Sequence, residues 1–170
     1  MHINIEIKAS CTNPKRIKEL LVAKNADFKG VDHQIDTYYK SPKGRLKLRA
    51  GTIENTLIHY ERDDQAGPKQ SNVVLFKNEA NSSLGEVLRK ALEILAVVDK
   101  KRAIYFIDNV KFHVDEVEDL GSFVEIEAID SDGSLGIEHL QMQCRRYMDY
   151  LGIENQDLIE QSYSDLLLKK

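Results

Sequence analysis

Tryptophan is absent from the 170 residues, proline occurs three times and cysteine twice, and no apolar run approaches the roughly 20 residues of a membrane-spanning helix. With so little proline and no low-complexity tract there is no linker to divide the chain, which reads as one domain over residues 1–170. Cys11 and Cys144 form no CxxC pair and no metal-ligand spacing, so both read as reduced, buried or half-buried thiols. The opening Met-His-Ile-Asn-Ile-Glu-Ile-Lys lacks the basic-then-apolar pattern of a secretory leader. Together these absences point to a cytoplasmic protein with no membrane partner. Cations are also in deficit: the net charge of −4 excludes a bulk electrostatic binder of nucleic acid.

What the chain has in quantity is charge in alternation with apolar residues. Strand pleating puts residues i, i+2 and i+4 on one face. In Val110–Ala128 this places Lys111, His113 and Asp115 together on one strand, and Phe123, Glu125 and Glu127 on the next, with Phe112, Val114, Val124, Ile126 and Ala128 behind them. Ile3–Lys8 repeats the pattern, with Glu6 and Lys8 backed by isoleucines. Arg45, Lys47 and Arg49 share a face opposite Leu46 and Leu48, and Lys100 and Arg102 form a second cationic row. Ile58, Tyr60 and Arg62 line up on another strand, and Lys69 lies in the loop Asp63–Lys69.

Alternation predicts strands over residues 2–9, 30–39, 45–49, 56–62, 71–77, 97–107, 110–117 and 122–130. Asn13-Pro14 opens a helix that ends near Asn25. Ser83 and Glu86 have the spacing of a capping box, ahead of a stripe of Leu84, Val87, Leu88, Ala91, Leu92 and Leu95. A third helix spans about Leu135 to Leu151 with Gly152 as its stop, and the tail carries short helical turns through Ser162–Leu167. The fold class is therefore α+β, with eight mostly sequential antiparallel strands that can close into a barrel.

Two readings compete for the charged faces. One is an antiparallel sheet with helices on one face and water on the other. The second is a closed barrel with helices packed outside and the charges inside. The second is favoured because the polar faces are nearly all ionised, and because the signs are sorted. Arg45, Lys47 and Arg49 stand about 7 Å apart along one strand, a self-repelling row unless an anion lies over it. A lumen of this kind has a phosphate-binding zone of Lys8, Arg45, Lys47, Arg49, Arg62, Lys69, Lys100 and Arg102. It also has an acidic zone of Glu6, Asp115, Glu125 and Glu127, whose oxygens suit Mg²⁺ or Mn²⁺. An anion site beside a divalent-cation site is what phosphoryl or nucleotidyl transfer requires. His33, His59 and His113 read as structural strand histidines, and Tyr39, Tyr60 and Tyr163 as packing residues.

At these residues the chain resembles the CYTH family, which groups class IV adenylate cyclases with thiamine and inorganic triphosphatases. The resemblance rests on Asn4-Ile5-Glu6-Ile7-Lys8 for a family ExExK motif, on Arg45/Lys47/Arg49 and Arg62, on Lys100-Lys101-Arg102, on Asp115, and on Glu125-Ile126-Glu127. Gly30–Tyr39, His113–Ala128 and Ser162–Leu167 resemble family text as well. One departure is Asn4, where the motif has its first Glu. The resemblance implies an eight-stranded triphosphate tunnel, often dimeric in the cyclase branch, with Lys8 and Asp115 at the catalytic centre. It implies a nucleoside triphosphate or other triphosphate substrate, with the overall text closest to the cyclase branch. Hydrolysis of a triphosphate, or binding without turnover, are the alternatives the sequence leaves open.

Overall fold

The computed structural model describes residues 2–170. Eight antiparallel strands close a barrel: β1 (His2–Ser10), β2 (Asp27–Tyr39), β3 (Arg45–Gly51), β4 (Thr56–Arg62), β5 (Lys69–Lys77), β6 (Ile94–Ile107), β7 (Val110–Val117) and β8 (Gly121–Asp130). Their order around the barrel is β1-β5-β4-β3-β2-β6-β7-β8. Closure removes every sheet edge, so each strand has hydrogen-bonding partners on both sides.

Alternation then decides what each face meets. The outward residues Ile5, Ile7, Ala9, Phe112, Val114, Val124, Ile126 and Ala128 form the main core with two helices laid across the barrel. These are α1 (Pro14–Ala23), which contributes Ile17 and Leu21, and α3 (Ile137–Tyr150), which contributes Leu140 and Cys144. Asn13 caps α1 by accepting from the Arg16 amide at 3.0 Å, with Pro14 at the first helical position. Gly152 follows α3 at φ 69°, the left-handed geometry that ends a helix. The main apolar core thus lies outside the barrel and the buried charges inside. Cys11 and Cys144 are both free, half-buried and buried respectively.

Three strands begin earlier than alternation indicates. β2 starts at Asp27 and bends at a bulge between Phe28 and Gly30, where Gly30 takes φ 113°. β6 starts at Ile94 and β5 at Lys69. Lys69 is therefore a strand residue rather than part of a loop.

The helix α2 (Leu84–Ala91) departs further from expectation. Its apolar stripe covers no core: none of its residues is buried, and Val87 is 57% exposed. The Ser83 capping box does not form either. Ser83 already has helical φ and ψ of −73° and −2°, whereas a capping hydroxyl needs a non-helical backbone. The Ser82 hydroxyl accepts from the Leu84 amide instead, at 3.3 Å. The stripe also stops short of Leu95, which belongs to β6. Among the described residues no helix is long and apolar enough to cross a membrane.

A last helix, α4 (Tyr163–Leu168), begins at Ser162, whose hydroxyl accepts from the Asp165 amide while Asp165 accepts from the Ser162 amide. The segment around it packs across one end of the barrel, with Tyr163 against Tyr38, Val98, Val117 and Phe123.

Candidate active site

The barrel interior holds a cavity of 720 Å³. Its wall carries Lys8, Lys47, Arg49, Arg62, Lys100, Arg102 and Lys111 among the cations, and Glu6, Glu54, Glu125 and Glu127 among the acids. All but Glu54, which is outside the strands, reach the lumen by strand alternation. Lys47 and Arg49 are on β3, Lys100 and Arg102 on β6, and Glu125 and Glu127 on β8. The two ends differ. At one, Ser162 and Tyr163 of the C-terminal segment, 1% and 3% exposed, close the lumen. The other lies past Lys77 and Ser131, where Ile53, Leu75, Phe106 and Ile129 stand among the polar Glu54, Asn55, Thr56, Asn78 and Lys111, with Ile58 and Val73 deeper in.

The cations cluster around acids that the sequence reading passed over. Asp36 is fully buried and holds three of them: Arg49 in a two-pronged contact at 2.9 Å on each oxygen, Lys100 at 2.6 Å and Lys47 at 3.2 Å. Burial would raise its pKa, but Arg49, Lys100 and Lys47 together hold it well below the carboxylate range. Lys100 is pulled down to about 7, first by burial and then, against Asp36, by the like charges of Arg49, Arg102 and Lys47. Glu54, on the turn between β3 and β4, accepts from Arg49 at 3.0 Å and from Lys111. Asp32 fixes that turn by accepting from the Ile53 and Glu54 amides at 2.8 and 2.9 Å. The signal was present in β2, where Asp32, Gln34, Asp36 and Tyr38 alternate and are all buried.

Asp115 is also fully engaged. Arg102 donates to its two oxygens, through Nε at 2.7 Å and through Nη2, and the Tyr163 hydroxyl donates at 2.7 Å. Arg102 reaches on to Glu125 at 3.0 Å, and Lys8 lies 3.3 Å from the other Glu125 oxygen. Burial opposes ionisation of Glu125, but Arg102, Lys8 and His113 hold its pKa well below the usual range. Lys8 and Lys100 lie under the Tyr163 ring, 4.0 and 5.9 Å from its centre. Glu6 is paired with Arg62.

Two of the expected phosphate-binding cations stand away from the cavity wall. Arg45 donates to Asp64 and Asp165 at 3.0 Å. Lys69 donates to the Glu160 carbonyl at 2.9 Å and so ties β5 to the C-terminal segment, with its pKa lowered to about 8 by burial and by Arg62 and Lys8.

Of the acids expected to hold a metal, Glu125 and Glu127 come together, and His113 joins them: one donor atom from each lies within 4.8 Å of the others. Glu6, on Arg62, and Asp115, on Arg102, lie outside this group. An imidazole and two carboxylates form a donor set that fits a small divalent ion. Two further atoms have no protein partner: Asn4 Oδ1 and His113 Nε2 are buried without a hydrogen bond, and both residues line the cavity. With Lys77 at the mouth, eight wall cations face six carboxylates, those of Glu6, Asp36, Glu54, Asp115, Glu125 and Glu127. The tunnel therefore has a small excess of formal positive charge.

The family model described as "CYTH domain" matches residues 2–163. No curated protein matches the sequence. Among solved structures, the PH1012 protein from Pyrococcus horikoshii OT3 superposes with TM-score 0.82 at 25% identity, over 98% of this chain and 99% of that one. A candidate adenylate cyclase from Vibrio parahaemolyticus gives TM-score 0.76 at 14% identity, over 98% of each chain. A Hippeastrum protein of adenylyl cyclase type, described as having a dominant triphosphatase activity, gives 0.62 at 12% identity, over 99% of this chain and 94% of that one. At these last two identities the likeness is one of fold.

Proposed function

The chain belongs to the CYTH domain family, and on that premise we propose that it is a divalent-metal-dependent enzyme that converts ATP to cyclic AMP and pyrophosphate inside its tunnel. The observation that carries this reading is the layout of the 720 Å³ cavity: Lys8 and Lys100 lie under Tyr163 at the closed end with Arg102 and Glu125 beside them, and the large apolar side chains Ile53, Leu75, Phe106 and Ile129 lie towards the open mouth. We place a nucleoside triphosphate along that order with its phosphates inward and its base outward. Its β- and γ-phosphates lie among Lys8, Lys47, Arg49, Lys100 and Arg102, and its base lies between Leu75, Phe106, Ile53 and Ile129. The α-phosphate then falls near Glu125 and Glu127.

The closed end bears on which phosphorus reacts. Water attacking the γ-phosphorus in line would have to approach from the side that Ser162 and Tyr163 fill. The ribose 3′-hydroxyl, on the mouth side, has a free approach to the α-phosphorus. Glu125 and Glu127 would hold a divalent ion, whose contribution there would be Lewis-acid polarisation and neutralisation of phosphate charge. The chain's own cations do the rest: they orient the triphosphate and hold the departing pyrophosphate charge. Asp115 keeps Arg102 aimed at it, and Tyr163 keeps Asp115 in place.

The test is to incubate the purified protein with ATP, thiamine triphosphate or tripolyphosphate plus Mg²⁺ or Mn²⁺ and to separate the products. Cyclic AMP with pyrophosphate in equal amounts is the expected result. Orthophosphate from the same substrates would replace cyclisation with hydrolysis in the same tunnel. Tight binding without turnover would leave a triphosphate-binding module.

A further inference from the structure

His113 sets an imidazole nitrogen beside the two carboxylates Glu125 and Glu127 in the tunnel. We infer that His113 ligates the divalent ion together with Glu125 and Glu127, so that this protein takes a nitrogen-tolerant ion such as Mn²⁺ in preference to Mg²⁺ or Ca²⁺. The inference rests on the reading of the tunnel as a metal-dependent triphosphate site.

The geometry is set by strand register. His113 on β7 is directly opposite Glu125 on β8, and Glu127 is the next inward residue. His113 Nδ1 lies 3.1 Å from Glu125 Oε2 and 3.8 Å from Glu127 Oε1. Adjacent ligands held about 2.1 Å from an octahedral ion stand about 3 Å apart, so the first spacing is already that of two ligands on one ion. The second closes with a small side-chain movement.

The protein leaves His113 short of partners in either tautomer, and ligation uses the one that carries its proton on Nε2 and frees Nδ1 towards the two carboxylates. The residue is 1% exposed and its Nε2 has no partner. With the proton on Nδ1, the ring donates to Glu125 and leaves a bare, buried lone pair at Nε2. With the proton on Nε2, the Nδ1 lone pair faces two carboxylates and is opposed to them unless a cation sits between. Asn4 Oδ1, also buried and unpartnered, lines the same cavity. Asn4 brings no charge where the family motif brings one, so a neutral nitrogen ligand at His113 restores a donor without restoring the charge.

Donor chemistry then selects the ion. Mg²⁺ prefers oxygen and keeps its waters, whereas imidazole nitrogen suits the first-row transition ions. The test uses metal-free wild-type protein, with and without tripolyphosphate, titrated with Mn²⁺ and separately with Mg²⁺. Calorimetry gives the affinities, and pulsed electron paramagnetic resonance of bound Mn²⁺ detects a coordinated ¹⁴N. The expected result is ¹⁴N modulation in the wild type and tighter Mn²⁺ than Mg²⁺ binding. In His113→Asn the modulation is lost and Mn²⁺ binds at least about tenfold more weakly, while Mg²⁺ affinity changes much less. Bound Mn²⁺ with no ¹⁴N signal in the wild type would overturn the inference and leave the tunnel reading intact, whether or not the variant folds. Binding of neither ion, with tripolyphosphate also unbound, would overturn the tunnel reading itself.

Discussion

At the residue scale, the lumen separates acids that hold the fold from acids that are free for chemistry. Asp36 belongs to the first kind. It compensates Arg49, Lys47 and Lys100 at once, two of them nearly inaccessible to water. Removing one partner of a buried charge set leaves the others unpaired, so Asp36→Asn is expected to cost about 3–5 kcal/mol in denaturant unfolding, with part recovered by added tripolyphosphate. Glu127 belongs to the second kind: among the described residues its only ionic neighbour is His113, at 3.8 Å. Glu127→Gln is expected to leave the unfolding midpoint nearly unchanged while lowering metal-dependent kcat by about a hundredfold or more, since metal stabilisation is worth several kcal/mol. Equal stability losses in the two variants would erase this distinction. The rows Arg45/Lys47/Arg49 and Glu125/Glu127 were legible in the sequence because both partners of each contrast, charge and period, lie within a few residues. The hub at Asp36 was not, because its meaning depends on β6 and β3 arriving from either side of β2.

At the scale of elements, the C-terminal segment is the part whose role exceeds its size. Short helical turns through Ser162–Leu167 were legible in the sequence, but the segment's position across the barrel end depends on contacts far apart in sequence. Lys8 and Lys69 donate to its carbonyls, and Tyr163 donates to Asp115. Tyr163→Phe removes a buried hydroxyl donor and is expected to destabilise by about 1–3 kcal/mol, with a larger loss in turnover than a packing change alone would give, because Asp115 no longer holds Arg102 as firmly. Calorimetric melting beside kcat measurement checks both halves. The helix α2 shows the opposite limit of sequence reading. Its stripe of Leu84, Val87 and Leu88 specifies an apolar face, but amphipathicity states only which side can be buried and not whether a partner element is present.

For the whole molecule, the charge of Lys100 in the lumen predicts how binding responds to pH. Lys100, drawn down to about 7, is charged below that value and increasingly neutral above it. Triphosphate affinity is therefore expected to fall as pH rises through about 7 to 8, and Lys100→Met should bind more weakly and lose that inflection. Stability without ligand runs the other way. Between about 7 and the ordinary lysine value of 10.5 the unfolded chain holds the proton and the folded chain does not, so this group's contribution makes the fold more stable as pH rises across that window. Binding isotherms and denaturant curves across the range check the two signs separately.

The most direct test of the central claim is a crystal structure of the protein soaked with a non-hydrolysable ATP analogue and Mn²⁺. The account predicts β- and γ-phosphates on Lys8, Lys47, Lys100 and Arg102 beneath Tyr163, the ion on Glu125 and Glu127, and the base at Leu75 and Phe106. A triphosphate lying outside the barrel, or one inserted with its base under Tyr163, would contradict it.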